Sequence, residues 1–305
     1  MRSRSWPLLV ATLIGAIPAV AIAAPPASAE DPPPCSVCGE LGDDSVYTGM
    51  DAKTTASQPD HVDKDVVEGG KKVHKRVPLV YSVPLNCPGN GPEDGDGGNA
   101  CAPAVTGCQY VPNASGPYVK IYRHPADETA PVNWEYVGTT CYTSLLPGGA
   151  GRPQLTMAMI VKEWKQTPFA KPGLSIQPVH NRTLVTLPTY FSLIWPQTGY
   201  QPGEVRATTL LGHRVEIRPT FKSNNFSYGD GTASGPTQSF GGAYPSGDVT
   251  HAYDDPGTFT VGVSTTYGGQ FRVDGGDWAD IPGTATIAGP TQAVQVLTST
   301  NRLVR

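Results

Sequence analysis

The segment FSYGDGTASGPTQSFGGAYPSGDVTHAYDDPGTFTVGVSTTY, residues 226–267, decides the fold class. Near its end Phe259, Val261, Val263, Thr265 and Tyr267 fall on one side of an extended chain, and Thr258, Thr260, Gly262, Ser264 and Thr266 fall on the other. A period of two is the pattern of a half-buried strand, packed on one face and wet on the other. Two turns bracket the strands. Gly229 and Gly231 offer the positive φ that other residues reach only at a cost, Asp230 between them can accept from neighbouring backbone amides, and Pro256-Gly257 suits a type II turn.

The run Phe226-Ser227-Tyr228-Gly229-Asp230-Gly231-Thr232, followed in order by His251-Ala252-Tyr253 and Pro256-Gly257-Thr258-Phe259-Thr260-Val261, resembles the PKD domain. That family is an immunoglobulin-like β-sandwich of secreted and cell-surface proteins. Phe226 stands where the family pattern has Trp, while Tyr228 and Phe259 replace Phe and Tyr. Matching residues cover 226–263. The resemblance implies a structural place for His251 beside the turn, and a module that makes protein–protein or protein–polysaccharide contacts. With the leader described below, the chain looks like a bacterial, actinobacterial-like exported protein.

The same strand pattern extends outward. Val205–Leu211 and Arg214–Arg218 flank Gly212-His213 and read as a hairpin, with Val215 and Ile217 inward and Arg214, Glu216 and Arg218 outward. Thr183–Leu187 and Tyr190–Trp195 are apolar runs, Gly268-Gly269 and Asp274-Gly275-Gly276-Asp277 punctuate Tyr267–Trp278, and Ala293–Leu297 supplies a last strand. Residues 174–305 are therefore expected to form the sandwich. Residues 77–173 carry short strand-like pieces (Val77–Leu85, Tyr118–Tyr122, Trp134–Tyr142) and one helix at 154–166, ended before Pro168. Residues 30–76 show no sustained periodicity and are expected to be a flexible polar arm.

Arg2 and Arg4, the apolar run that starts at Leu8 and ends near Ala24, and Ala27-Ser28-Ala29 read as a secretory signal peptide over residues 1–29. The run falls short of the ~20 residues a spanning helix needs, and Pro18 interrupts it. No transmembrane segment is expected after cleavage. The chain has 22 Lys and Arg against 26 Asp and Glu; without the leader's two arginines the balance is 20 against 26, a net charge of −6, which excludes a general nucleic-acid binder. One basic run, Lys71, Lys72, His74, Lys75 and Arg76, could grip an anionic wall polymer, although a solvated linker is the ordinary reading of so short a run. With 35 Gly and 31 Pro, few long helices can be drawn, so the chain is a turn-rich β protein.

Six cysteines in an exported chain read first as disulfides. Preferred pairs are Cys108 with Cys141, whose flanks look like strands, and Cys87 with Cys101 around an acidic loop, leaving Cys35 with Cys38. Cys35-x-x-Cys38 as a redox pair lacks the strand-to-helix junction that lowers a thiol pKa, and His61 and His74 are spaced too far apart for a zinc finger. Asp94-Gly95-Asp96-Gly97-Gly98-Asn99 has the alternating oxygens of a calcium loop without the bidentate glutamate of an EF-hand. Asp230, Asp254 and Asp255 form a second acidic set, for which turn capping is the commoner role. His124, His180, His213 and His251 fall on separate elements, and neither Gly-x-Ser-x-Gly nor His-Glu-x-x-His occurs. Trp195, Tyr200, Trp278 and several tyrosines could form a platform for glycan stacking or could fill the core.

These readings converge on a mainly β protein: an immunoglobulin-like, PKD-like β-sandwich preceded by a small disulfide-bonded irregular β region and one short helix. Its expected role is non-catalytic binding or surface support outside the cell or loosely on the wall, with an extracellular protein or a cell-wall polysaccharide as partner. No catalytic residue, metal ligand or cofactor is assigned, and nucleic acid is not expected. The rival is a secreted hydrolase with its site in 77–166 and the sandwich as accessory module, which a deep pocket of converging His, Asp, Glu or Ser in that region would favour.

Overall fold

The computed structural model describes residues 37–42, 45–114, 116–148 and 153–299, with side chains described from 49 onward except at 95–97. The leader 1–29, Cys35 and the side chain of Cys38 lie outside them. In chain order the described residues form β1 (Val37–Gly42), β2 (Ser45–Met50), α1 (Ala52–Ala56), β3 (His61–Glu68), β4 (Lys71–Ser82), α2 (Ala102–Thr106), β5 (Val119–Pro125), β6 (Glu135–Thr140), α3 (Met157–Lys165), β7 (Gly173–Gln177), β8 (Arg182–Leu184), β9 (Thr189–Ile194), β10 (Arg206–Leu210), β11 (His213–Ser227), β12 (Ala233–Thr237), β13 (Thr250–His251), β14 (Gly257–Val273), β15 (Ala279–Ala288) and β16 (Gln292–Leu297). The protein is mainly β, as the sequence pattern requires.

Three sheets result: β1-β2-β6-β5-β4-β3; β10-β11-β14-β16-β8, with β12 added on β11 and β15 on β14; and β13-β9-β7. The alternation that opens the sequence argument holds in β14, where Val261, Val263, Thr265 and Tyr267 are buried and Thr258 and Thr260 are exposed. The same face continues through Phe271 and Val273. Gly268 and Gly269, expected to punctuate this strand, run straight through it. A Cβ at Gly269 would stand 2.9 Å from the Trp164 ring and one at Gly268 2.8 Å from the Thr220 hydroxyl and closer still to Lys222, so Gly269 makes room for α3, Gly268 for side chains of β11, and neither turns the chain. On β11 a register shift between Phe221 and Ser223 adds one residue, which keeps Val215, Ile217, Phe226 and Tyr228 all on the covered side although their numbering changes parity.

That one covered face serves two cores. Leu174, Ile176 and Phe191 of the β7–β9 layer pack with Phe226, Tyr228, Tyr253, Val261, Val263, Val294 and Val296 to close a sandwich. Further along the same strands, Val215, Ile217, Tyr267, Phe271, Val273 and Ile281 pack with Ala104, Val105, Val119, Ile121, Leu155, Ile160 and Trp164. The boundary expected at 173/174 thus runs through a shared core, and the described residues belong to one compact unit.

The helix expected at 154–166 occupies 157–165, because Thr156 caps it by accepting from the Met159 amide at 3.4 Å. The hairpin is β10–β11, but its two-residue turn is Leu211-Gly212, both at positive φ (50° and 88°), and His213 already belongs to the strand. Glu216 points outward as expected yet is buried under arginines: Arg272 Nε lies 2.7 Å and Arg214 Nη2 3.0 Å from its carboxylate. Their hydrogen bonds and charge, Arg272 foremost, hold that carboxyl below its usual range.

The arm expected over 30–76 is a clear correction. Residues 37–42, 45–50, 61–68 and 71–76 are strand, with β3 paired to β4 from His61↔Pro78 to Glu68↔Lys71. The pattern was silent because the half-buried face of β3 (Val62, Lys64, Val66) is interrupted by a lysine, Val67 falls on its exposed face, and β4 from Lys71 to Arg76 is exposed throughout. Disulfides Cys87–Cys101 and Cys108–Cys141 crosslink the stretch that follows β4 and tie it to the residue just after β6, and no cysteine with a described side chain is free.

Candidate functional site

The Gly-Asp-Gly turn is built around Asp230. Gly229 and Gly231 take φ of 84° and 91°, and a Cβ at Gly229 would collide with the Thr260 backbone, so this position tolerates only glycine. Asp230 Oδ1 accepts from the Thr232 amide (2.9 Å) and hydroxyl (2.6 Å), and Oδ2 lies 2.6 Å from His251 Nε2. Partial burial pushes the carboxyl up, but the Thr232 and His251 bonds outweigh it and bring the pKa down to about 2. The His251 ring stacks on Tyr228 at 4.2 Å and meets Tyr253 edge-on, Tyr253 stacks on Phe259, and the Tyr253 hydroxyl donates to the Tyr228 carbonyl. Phe226, Tyr228, Asp230, His251 and Tyr253 are thus one structural cluster, in which Asp230, His251 and the Tyr253 hydroxyl are engaged and the buried Tyr228 hydroxyl has no hydrogen-bond partner among the described residues. Pro256-Gly257 departs from expectation. Gly257 is not at positive φ but opens β14 opposite Val296, so no type II turn forms there.

Beside this cluster lies a cleft. β13 pairs with β9, setting His251 opposite Thr189 and Thr250 opposite Tyr190, and Tyr190 forms one wall. Tyr244 meets the Tyr190 ring edge-on at 5.5 Å, and its amide donates to Gln177 Oε1 at 2.9 Å, which fixes the loop against the end of β7. Pro178, Val179, Leu187 and Pro188 complete a cavity of about 490 Å³ that no charged side chain lines. Val179 and Tyr244 are each 70% exposed and Leu187 43%. Backbone strain flanks both walls: His180 and Asn181 follow Val179 at φ of 62° and 52°, and Thr186 precedes Leu187 at φ 63°. A β-branched residue in the left-handed region costs on the order of 1–3 kcal/mol, and such strain concentrates at functional sites. Here the Thr186 amide is tied to the Tyr253 carbonyl at 2.9 Å, so the motif cluster holds the cleft wall in place.

The other candidates are dispersed. His213 Nδ1 faces Asp274 Oδ2 at 2.8 Å beside the β10–β11 turn, His124 packs edge-on against Trp134, and His180 borders the cleft. Trp195 contacts Phe240 and Tyr267, whereas Trp278 lies under the guanidiniums of Arg218 (4.0 Å) and Arg272 (4.8 Å), so the two tryptophans share no platform. In the acidic loop Asp94 accepts from the Gly91 amide and Glu93 from the Trp134 ring nitrogen; Asp254 and Asp255 are exposed. Among the described residues no group of three His, Cys, Asp or Glu side chains is placed to hold a metal.

A second cavity, of about 430 Å³, lies in the N-terminal sheet among His61, Arg123, His124, Glu128, Asn133 and Glu135. Its carboxylate Glu135 is held by both forks of Arg123 (2.8 and 2.9 Å), which keeps it ionised below its usual range. A third, of about 620 Å³, is walled by Pro168, Pro196, Gly199, Pro290 and neighbouring turns, and the Phe169 ring at its edge is spent on Trp164 and Tyr267. The cleft residues Val179, Leu187 and Tyr244 were not singled out by the sequence. Their one visible trace is apolar residues set next to prolines in loops, and Leu187 was read as part of a strand. No helix among the described residues is long and apolar enough to cross a membrane. Compared with known proteins, the chain matches no family model and no curated sequence.

Proposed function

We propose that this is an exported, non-catalytic binding protein of PKD-like architecture, whose Tyr190–Tyr244 cleft holds an apolar side chain from an extended segment of a partner protein. The uncharged lining carries the reading. A sugar brings a hydroxyl on nearly every carbon and needs matching donors and acceptors, whereas the cleft offers Gln177, already engaged by Tyr244, and two tyrosine hydroxyls. Aromatic walls with a few polar tips are the usual surface of a protein contact. The two disulfides fit an oxidising compartment, so we place the protein outside the cell or loosely on its wall.

The hydrolase alternative finds weaker support. The cavity in the N-terminal sheet brings together His61, His124, Glu128 and Glu135, but Arg123 neutralises Glu135, and no Ser, Thr, Cys or Lys stands among its lining residues to act as a nucleophile. The test is selection of a displayed short-peptide library on the immobilised protein, run alongside Tyr244→Ser and Val179→Asp. Peptides rich in proline or aromatic residues that bind the parent and bind either variant at least ~10-fold more weakly support the reading. Equal binding to all three proteins, or turnover of a glycan, peptide or ester that a His61 or His124 substitution abolishes without altering the melt, overturns it.

A further inference from the structure

We propose that the β3–β4 ribbon is a separate binding site for an anionic linear glycopolymer bearing phosphodiester or carboxylate groups. The pairing of β4 with β5 begins at Leu79↔Pro125, with the Pro78 carbonyl accepting from Ala126, so from Lys71 to Arg76 the only strand beside β4 is β3, and every residue from Glu68 to Arg76 is exposed. The run Lys71, Lys72, His74, Lys75 and Arg76 is therefore one side of a projecting hairpin and no linker.

Register decides which of these charges are already satisfied. Arg76 lies opposite Asp63, with Nε 3.9 Å from the carboxylate, and His74 is paired with Asp65. Lys75 lies directly opposite Lys64, a like-charge pairing that costs stability, and Lys64 reaches away to Asp127 at 2.7 Å. Lys72 faces Val67, and Lys71 stands beside Glu68 without an ion pair. Among the described residues Lys71, Lys72 and Lys75 make no ion pair. Over residues 61–76 five Lys and Arg stand against three Asp and Glu, in a chain whose net charge is −4. Charges also guard an open strand edge against unwanted pairing, but either sign does that. The bias to positive charge is what points to an anion.

Alternate residues of a strand lie ~7 Å apart, so Lys72, His74 and Arg76 form a row on one face, with Lys71 and Lys75 ~13 Å apart on the other. A polyanion laid along the ribbon neutralises such a row and releases counterions. Residues 61–76 contain no Phe, Tyr or Trp on which a base could stack, so a glycopolymer fits better than a single-stranded nucleic acid.

The test is retention of the purified protein on immobilised poly(glycerol phosphate) and on hyaluronate at rising salt, with neutral dextran and duplex DNA as comparators. Retention by either anionic polymer and not by dextran is expected, and which of the two retains it assigns phosphate or carboxylate. The triple variant Lys71→Gln, Lys72→Gln, Lys75→Gln should bind ~10-fold more weakly and lower the log–log salt slope by about 2, at ~0.7 per lost charge. Its melting curve should stay close to the parent's, because these side chains are exposed and form no ion pair, Lys75 acting on Asp127 only as a nearby charge that is secondary to Lys64. Lys53→Gln with Lys165→Gln, exposed lysines elsewhere, should bind as the parent does. Undiminished retention of the triple variant, equal retention on dextran, or tighter retention on DNA than on either glycopolymer would overturn the proposal. The outcome is independent of the cleft.

Discussion

Asp230 is the residue on which the Gly-Asp-Gly turn depends. It fixes Thr232 and His251 at once, and the aromatic stack from Tyr228 to Phe259 sits on that arrangement. Asp230→Ala should cost about 1–2 kcal/mol at neutral pH after allowing for solvent screening, read from denaturant melts. The pH dependence has a definite sign. The folded pKa of about 2 lies below the ordinary 3.8, so the stabilisation is complete above about pH 4 and is lost as pH falls toward 2. Asp230→Asn should flatten the stability curve in that window, and an unaltered acid slope would show that other carboxylates set it. Gly269 is a second sharp test: with a Cβ forced to 2.9 Å from Trp164, Gly269→Ala should cost about 1–3 kcal/mol, while alanine at exposed Gly276, where φ is not positive, should cost far less.

At the scale of elements, α3 and β14 carry the join between the two cores. Trp164 rests on Gly269 and meets Phe169 edge-on, so Trp164→Ala should cost about 3–5 kcal/mol in a denaturant melt, whereas Val67→Ala at the ribbon tip should cost under ~0.5 kcal/mol. Equal costs would mean that the helix does not anchor the sheet. Strands β9, β10, β14 and β16 were legible in the sequence because each alternates, or runs apolar, over its length. The β3–β4 ribbon was not, since Lys64 interrupts the half-buried face of β3, Val67 lies on its exposed face, and β4 is exposed from Lys71 to Arg76. Gly268-Gly269 misled for a different reason: glycine marks a turn and a close approach with the same letter, and only the neighbours, Trp164 at Gly269 and Thr220 with Lys222 at Gly268, separate the two. The motif around Asp230 was legible as a turn, but the cleft beside it was not, because Tyr244 reaches Tyr190 across more than fifty residues of intervening chain.

For the whole molecule, the shared face of β11 and β14 has a consequence for fragments. Val215, Ile217, Tyr267, Phe271, Val273 and Ile281 are covered by residues from 104 to 164, so residues 174–305 alone should expose an apolar patch, bind a hydrophobic dye and melt at lower denaturant than the full chain. Independent folding with the stability of the full chain, which the absence of cysteine in this half suggests at first sight, would contradict the two-core arrangement. The division of labour is then a rigid double core, a strained cleft on the β7–β9 side and a charged ribbon at the far edge of the N-terminal sheet. The most direct test of the central claim is nuclear magnetic resonance of the protein labelled at Tyr rings and Val and Leu methyls, titrated with a peptide selected on it. Saturable shifts at Tyr190, Tyr244, Val179 and Leu187, with Val66, Val73 and Tyr122 unmoved, are the predicted result; shifts confined to the Arg123–His124 cavity, or none at the cleft, would contradict it.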